Sequence, residues 1–266
     1  MPDADALFVA LDDSTFQPTD LCRGPWTPDS QHGGPGAALV ARAIEAADSH
    51  GPMQVARLTL ELLRPVPLAP LRLETAVPRP GRKVQLVEAS VFAGDIEVLR
   101  GRALRVRIAD VADADGHAPI DDPLPPIPDA TTPFAFDTQA ESWEGFHNTA
   151  VDVRFVEGSW AAPGPAAAWF RLTVPVVAGE EISPLARVLA AADFGNGISR
   201  VLDSSQHLFI NPDLTVHVAR PPEGEWVAMR SSTTTTANGI GMAESALFDQ
   251  RGRVGRAVQS LLVDPR

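Results

Sequence analysis

The first half of the chain combines one strongly apolar segment with four strand-like ones. Residues 37–47 are apolar on nearly all sides, which is typical of a buried helix. Pro35 suits a first helical position and His50-Gly51-Pro52 suits a helix end, so we predict a helix between them. Strand-like runs separated by turns that contain Pro or Gly follow at residues 55–63, 71–77, 84–92 and 98–108. One helix followed by a meander of strands predicts an α+β fold.

The second half repeats this order of elements. Runs typical of strands occur at residues 151–155 and 168–174. In the first half, residues 1–22 additionally predict one or two edge strands. Ser183-Pro184 provides an N-cap and a proline at the first helical position, and apolar residues then recur with helical spacing. Further strands are predicted at residues 207–210, 214–219, 226–235, 241–248 and 254–263.

The halves are separated by a stretch of different texture, in which aspartates alternate with prolines from residue 110 to about residue 148. Such sequence buries little apolar surface to offset its ordering entropy, so we expect a linker. The predicted organisation is an N-terminal domain over residues 1–110, a linker over residues 111–147 and a C-terminal domain over residues 148–266.

Three blocks of the first half recur in the second half in the same order. Residues 59–65 align without a gap with residues 215–221, and residues 88–92 align with residues 244–248 at the same offset. Gly101-Arg102-Ala103 matches Gly255-Arg256-Ala257 after a short slip, which makes Gln259 the counterpart of Arg105. The main offset also places Asp193 against Ala37. With two copies, a period this long predicts duplicated domains and not a solenoid.

Composition narrows the function classes. Of 266 residues, 44% are hydrophobic and 21% are charged, as in ordinary globular proteins. The net charge of −12 argues against nucleic acid as a partner, although local arginines can still bind a small anion. One cysteine, Cys22, excludes an internal disulfide framework and fits a reducing compartment. No apolar run has the length of a signal peptide or a membrane span, so we expect a cytoplasmic protein that does not insert into membranes.

A long helix followed by antiparallel strands, present twice, resembles the double hotdog fold of acyl-CoA thioesterases of the bacterial thioesterase II type. The resemblance covers most of the chain outside the linker. The matching features, in order, are Gly33-Gly34 with the small-residue helix, Arg64-Pro65-Val66, Arg79-Pro80-Gly81-Arg82, Ala192-Asp193, Arg220-Pro221 with Trp226, and Val258-Gln259. The fold class that it implies is α+β, with two tandem hotdog domains in which a sheet wraps a long helix.

In that family a carboxylate, a hydroxyl and a glutamine of the second hotdog position a water that attacks the thioester carbonyl. The resemblance implies Asp193 as the carboxylate and Gln259 as the amide. Asn211 occupies the place expected for threonine, so this chain departs from the family there; one of the threonines at 233–236 could supply a hydroxyl instead. The resemblance also implies Gly33, Gly34 and Thr215 as substrate-binding residues.

Each of these residues also has a structural interpretation. Asp193 could simply begin a turn after the helix, although an anion at a helix C-terminus opposes the helix dipole. Gln259 interrupts an apolar strand, where it either faces solvent or is buried and hydrogen-bonded. The four threonines at 233–236 could form one wet face of a strand.

No cofactor or metal is predicted. The six histidines lack paired ligand spacing, and no phosphate-binding glycine loop is present. Asp113 and Asp115 faintly resemble a calcium loop, but Val111 occupies the first ligand position, so we interpret them as acidic linker.

The leading hypothesis from the sequence is hydrolysis of a fatty acyl-CoA thioester by a positioned water. Two alternatives stay open: a hotdog hydratase that uses Asp193 with Asn196, and a non-catalytic protein that binds acyl-CoA as a scaffold. The resemblance further implies a homodimer. Chain-length preference cannot be inferred, because it depends on where the acyl tunnel ends.

Overall fold

A computed structural model describes residues 5–111, 122–135 and 143–266, which form an antiparallel sheet of 13 strands around two packed helices. The first half follows the predicted order, with one helix between two short strands and four long ones. Its elements are β1 (Phe8–Ala10), β2 (Thr15–Pro18), α1 (Gly33–Ala46), β3 (Met53–Leu62), β4 (Leu71–Arg79), β5 (Val84–Ala93) and β6 (Ile96–Arg107).

The second half also has the predicted elements, together with two short helical segments that the sequence did not predict, a π-helical turn at Phe146–Ala150 and the helix α3 at Gly195–Ser199. A turn that begins at Asp193 is one of the alternatives from the sequence, and in the structure the chain continues there into a further helical turn, α3. The elements are β7 (Val151–Glu157), β8 (Ala166–Leu172), α2 (Pro184–Ala192), α3 (Gly195–Ser199), β9 (His207–Ile210), β10 (Asp213–Val218), β11 (Val227–Thr235), β12 (Ile240–Asp249) and β13 (Gly252–Pro265).

The two halves join edge to edge through strands of the aligned repeat. The strand order is β1-β2-β4-β5-β6-β3-β10-β13-β12-β11-β8-β7, with β9 added against β13. Thr59 of β3 pairs with Thr215 of β10, which is its own counterpart in the repeat, and Arg57 and Glu61 pair crosswise with His217 and Asp213. A pseudo-two-fold axis therefore passes through the Thr59–Thr215 pair. The threonine Oγ1 atoms are 3.1 Å apart, with Thr215 donating.

Helices α1 and α2 pack against each other in antiparallel directions inside the curved sheet. Near the start of α1, Gly34 approaches the end of α2 so closely that a Cβ would lie 2.8 Å from the Ala190 carbonyl oxygen. At the opposite end, Ser183 Oγ before α2 donates to Glu45 Oε2 near the end of α1 at 2.5 Å. Each helix therefore begins beside the end of the other.

We name these two places the His32 junction, where His32 precedes α1 beside the end of α2, and the Ser183 junction, where Ser183 precedes α2 beside the end of α1. At the Ser183 junction the predicted N-cap is confirmed, since Ser183 Oγ accepts the Ala186 N–H at 3.0 Å. Helix α1, however, begins at Gly33, two residues before the predicted position, and His32 occupies its N-cap position with Nδ1 3.1 Å from the Gly34 nitrogen.

The last strand of each half contacts the end of its own helix. Arg105 Nη1 donates to the carbonyl of Ala47, the C-cap of α1, at 2.7 Å. Gln259 Nε2 donates to the carbonyl of Asp193, the C-cap of α2, at 3.4 Å. Gln259 and Arg105 are thus structural counterparts, as the repeat predicted.

The pairing of Asp193 with Ala37 was wrong. Asp193 ends α2, whereas Ala37 lies within the first two turns of α1, and the counterpart of Asp193 is Ala47. The offset changes because α1 has 14 residues and α2 has nine, and because α3 and β9 separate α2 from β10. The offset that aligns the strands of the two halves therefore does not align their helices, which differ in length.

Residues 122–135, one described part of the Pro-rich stretch, pack on the second half. Asp122 forms ion pairs with Arg230 of β11, at 2.6 Å, and with Arg253 of β13. The indole Nε1 of Trp169 on β8 donates to the Pro126 carbonyl at 2.9 Å. This segment therefore contacts β13, β11 and β8, which the composition did not lead us to expect. The domain boundaries stay a prediction.

Both terminal strands of the sheet have backbone partners on their outer edges. At β7, the Thr132 N–H donates to the Val153 carbonyl at 2.7 Å. At β1, the Phe8 N–H donates to the Val176 carbonyl at 2.9 Å. These contacts cover edges that would otherwise offer unpaired backbone groups to another chain.

Candidate active site

The side chain of Asp193 lies at the His32 junction, where it is 7% exposed. Its backbone caps the C-terminus of α2, where a negative charge opposes the helix dipole. The carboxylate, however, is directed at the first turn of α1, whose partial positive charge attracts it. The dipole of α1 therefore offsets the repulsion that the sequence indicated between Asp193 and the C-terminus of α2.

His32 forms an ion pair or hydrogen bond with this carboxylate, and the sequence analysis missed it. Nδ1 lies 2.8 Å from Asp193 Oδ2, and the His32 side chain is 10% exposed. At that separation Nδ1 must carry the proton, because an imidazole lone pair and a carboxylate oxygen repel each other. Nε2 is then the basic nitrogen. The spacing of the histidines indicates no zinc site, and the sequence signal for His32 is its position directly before Gly33-Gly34-Pro35 at the start of a helix.

Asn211 holds the other oxygen of the same carboxylate. Its Nδ2 donates to Asp193 Oδ1 at 2.8 Å. An amide N–H can make this bond as a hydroxyl would, so the departure from the family's threonine keeps a donor in place. The carboxylate is consequently fixed from two sides, by His32 and by Asn211.

Gly33 and Gly34 lie in the first turn of α1, beside Asp193, where the space allows only glycine. A Cβ on Gly33 would lie 2.8 Å from both carboxylate oxygens, closer than real Cβ contacts. The Gly34 N–H is directed at the pair formed by His32 Nδ1 and the carboxylate. The structure thus brings four of the six predicted site residues together: Asp193, Asn211, Gly33 and Gly34.

These contacts decide the protonation state of Asp193. Burial raises the pKa of the carboxyl group, but the charge and hydrogen bond of His32, with the bonds from Asn211 and the Gly34 N–H, lower it more. The net effect is a pKa below the ordinary value for aspartate. A carboxylate stabilised in this way stays ionised at neutral pH and accepts a proton poorly, so it is suited to orienting His32.

Gln259 contacts the backbone next to the carboxylate. It is 1% exposed; Oε1 accepts the Asn196 N–H at 3.1 Å, and Nε2 donates to the Asp193 carbonyl. A Cβ on Gly195 would lie 2.9 Å from Oε1, so α3 packs directly on this amide. In the described residues Gln259 holds the connection between α2 and α3 and does not line the cavity.

The predicted hydroxyl groups lie away from the carboxylate in the described structure. Thr215 is on the pseudo-two-fold axis, bonded to Thr59, and is not among the described residues that line the cavity. Thr233 is 6% exposed, and its Oγ1 lies 2.8 Å from Ser199 Oγ and donates to Asn196 Oδ1 at 3.4 Å. Thr233 therefore packs against Asn196 on the side away from the cavity.

A cavity of about 590 Å³ opens next to the His32–Asp193 pair. Its volume is in the range of small-molecule sites. Polar side chains converge on one wall, namely His32, Asp193, Asn196 and Asn211, and most of the other described lining residues are apolar. The arrangement can hold an apolar ligand with one reactive group at the polar wall.

The lining of the cavity carries a net positive charge, whereas the whole chain carries a net negative charge. Three arginines line it, Arg64, Arg200 and Arg266, and Asp193 is the one acidic residue among the described lining residues. In a chain of net charge −12 this local positive excess favours an anionic ligand.

In the described ranges, no three or more side chains of the His, Cys, Asp and Glu types converge as metal ligands. Asp113 and Asp115 of the calcium-like sequence lie outside the described residues. Of the helices that the structure describes, none has the length and apolar character needed to cross a bilayer.

Comparison with known families covers both halves. Residues 22–106 match the model of the acyl-CoA thioesterase N-terminal domain, and residues 122–263 match that of the acyl-CoA thioesterase C-terminal domain. No curated protein matches the chain in sequence.

Solved structures resemble the chain over nearly its whole length. A candidate thioesterase II from Thermobifida fusca is 20% identical, with a TM-score of 0.72 and 99% of each chain covered. A conserved protein of unknown function with a hot dog fold from Alicyclobacillus acidocaldarius is 17% identical, with a TM-score of 0.73 over 98% of this chain and 97% of that one. The acyl-CoA thioesterase II TesB2 of Mycobacterium marinum is 15% identical, with a TM-score of 0.66 over 98% and 96%. These likenesses establish the fold, so the predicted double hotdog is confirmed.

Proposed function

The chain belongs to the acyl-CoA thioesterase family, and from that premise we propose that it hydrolyses an acyl-CoA thioester to a free acid and CoA. The observation that carries the proposal is the buried His32–Asp193 pair, with a separation of 2.8 Å, on the polar wall of an apolar cavity. The family supplies the reaction class, and the site supplies a base beside space for the acyl group.

In the proposed mechanism His32 is the general base. Nε2 takes a proton from a water, whose oxygen attacks the thioester carbonyl to form a tetrahedral intermediate. The intermediate collapses as the C–S bond breaks, and the imidazolium returns the proton to the CoA sulfur. Asp193 keeps Nδ1 protonated and stabilises the imidazolium, as the aspartate of a Ser-His-Asp triad does.

Two groups are placed to stabilise the oxygen that becomes negative. Asn196 lines the cavity, and its side-chain amide carries an N–H donor that can bind a ligand oxygen. Gly33 adds a backbone N–H at the first turn of α1, where the helix dipole favours negative charge. The Gly34 N–H is engaged by the Asp193 carboxylate and has a different task.

The positive charges at the cavity support CoA as the carrier of the acyl group. Arg64 and Arg266 are exposed and line the cavity, so they are available to the phosphates of CoA. A neutral ester would gain nothing from them. Raising the ionic strength should therefore increase KM more than it lowers kcat.

We further propose a cytoplasmic location and a dimer, as the family resemblance implies. We expect the dimer to use a surface other than these two sheet edges, since β1 and β7 carry backbone partners there. Sedimentation equilibrium would distinguish a dimer from a monomer.

The test is release of free CoA from acyl-CoAs of several chain lengths by the purified chain and two histidine variants. His32→Ala removes the proposed base and is expected to lower kcat by about 10²- to 10⁴-fold. His217→Ala is the matched control, because His217 is exposed on β10 away from the cavity lining. Equal activity of the two variants would disprove the proposed base, and no CoA release by the unaltered chain would disprove hydrolysis.

Hydration of an enoyl-CoA is a second candidate, because it also needs a base that activates water. The His32–Asp193 pair and Asn196 line the same cavity and could serve that reaction. The same base could direct water to the β-carbon. Loss of the enoyl absorbance without CoA release would identify a hydratase. Tight binding without either reaction would identify the scaffold.

A further inference from the structure

The inner end of the cavity is built from aromatic rings. The described rings that line it there are those of Phe134, His147, Trp160 and Phe194. His147, Trp160 and Phe194 are 1%, 2% and 3% exposed. The opening, in contrast, is lined by Trp26, Leu63 and Ile210, which are 50%, 44% and 44% exposed.

These rings form a continuous series that begins at the reactive pair. The centroid of His32 lies 4.6 Å from that of Phe194, the residue after Asp193. The Phe194 ring is 6.1 Å from Trp160, and Trp160 is 5.0 Å from Phe134. An acyl group attached to a carbonyl at His32 would meet Phe194 first and then the next two rings.

Phe134 reaches the cavity through the segment that precedes β7. Thr132 is tied to that strand by its N–H to the Val153 carbonyl and by its Oγ1, which accepts the Phe155 N–H at 3.2 Å. Phe134, two residues later, contacts His147 edge-on with centroids 4.4 Å apart. The composition of this segment suggested a plain linker, yet it supplies one wall of the site.

We propose that the acyl group of the substrate carries an aromatic ring, so that the enzyme acts on arylacyl-CoA thioesters; this inference rests on the proposed hydrolysis. Aromatic rings prefer edge-to-face or offset contacts with centroids 4.5–7 Å apart, and each such pair contributes beyond the area that it buries. The aliphatic lining residues Leu62, Leu63, Leu208 and Ile210 are half-buried or exposed, whereas His147, Trp160 and Phe194 are buried. A long alkyl chain would find its aliphatic contacts near solvent, whereas a ring finds partners at the buried end.

The test compares phenylacetyl-CoA with octanoyl-CoA, whose acyl groups have the same number of carbons. We expect a larger kcat/KM for phenylacetyl-CoA. Phe134→Leu, at a partly buried position, should lower the phenylacetyl-to-octanoyl ratio of kcat/KM by about 2- to 10-fold, the effect of one lost ring pair. Phe209→Leu is the matched control: Phe209 is also partly buried and lines the cavity, but on β9, outside the ring series. It should change both substrates equally and leave the ratio unaltered.

The outcomes separate this inference from the proposed function. Faster hydrolysis of octanoyl-CoA, or an equal fall of the ratio in both variants, would overturn the aromatic preference and leave hydrolysis intact. If neither thioester is hydrolysed, hydrolysis fails, and calorimetric affinities of Asp193→Asn for the two thioesters decide the preference. Tighter binding of phenylacetyl-CoA would support it, and equal or weaker binding would overturn it.

Discussion

The two helix junctions are built alike and hold different chemistry. Each places the N-cap side chain of one helix beside a carboxylate near the end of the other helix, His32 with Asp193 and Ser183 with Glu45. At the His32 junction the carboxylate is buried, fixed by Asn211 and open to a cavity of about 590 Å³. At the Ser183 junction Arg42 pairs with Glu180 at 2.5 Å, and the two ionic side chains are about one third exposed.

The difference shows which features belong to the duplicated fold and which belong to the site. A capping N-terminal side chain and a partner from the last strand occur at both junctions, so they are needed to pack two antiparallel helices. The imidazole, the Asn211 amide and the cavity are found at the His32 junction. Function is therefore to be sought in the features that the duplication does not share.

The largest effect is expected from removing the carboxylate at one junction and the cap at the other. Asp193→Ala should lower kcat by about 10⁴-fold, because His32 loses the partner that fixes its tautomer. Ser183→Ala should cost about 1 kcal/mol of stability as a lost N-cap and leave kcat nearly unchanged. CoA release and urea denaturation measure the two quantities. Comparable losses of kcat in both variants would mean that the junctions are not functionally distinct.

Much of the fold was predictable because it rests on local patterns. The four long strands of the first half and helix α2 with its Ser183 cap follow from alternation, turn residues and capping chemistry. The symmetric pairing of Thr59 with Thr215 is a consequence of the repeat, which the sequence also revealed. These features depend on neighbours along the chain or on direct similarity between its halves.

The site was less predictable because its contacts join distant parts of the chain. His32 and Asp193 come into contact only when α1 and α2 pack, and no pattern in the sequence predicts this contact. Phe134 was hidden in Pro-rich sequence that the composition assigned to a linker. Asn211 was found by counting from a family pattern, and its bond to Asp193 depends on the path of the chain around β9.

A smaller effect is expected at the two residues that link the last strands to the helix ends. If Gln259 has the structural task of Arg105, Gln259→Ala and Arg105→Ala should each cost about 1–3 kcal/mol of stability through buried hydrogen bonds left unmade. The kcat of Gln259→Ala should fall by about 10-fold, since Asn196 loses support. A fall beyond about 10³-fold without loss of stability would instead make Gln259 a ligand of the attacking water, as the family resemblance implies.

The smallest effect is the dependence of stability on pH at Asp193, and its sign tests the mechanism. The pKa of Asp193 is lowered in the folded chain, so folding favours the ionised form. That stabilisation is fully present above the ordinary carboxyl pKa of about 4 and is lost as the pH falls through the lowered value. Asp193→Asn does not titrate there, and the other carboxyl groups contribute equally to both proteins.

The stability of the unaltered chain relative to Asp193→Asn should therefore decrease as the pH falls below about 4. Urea denaturation of both proteins at several pH values measures it. A relative stability that increases on acidification would mean that burial outweighs His32, Asn211 and the Gly34 N–H, so that the pKa is raised. Asp193 would then be basic enough to take the proton from water itself, and His32 would lose the role that separates its junction from that of Ser183.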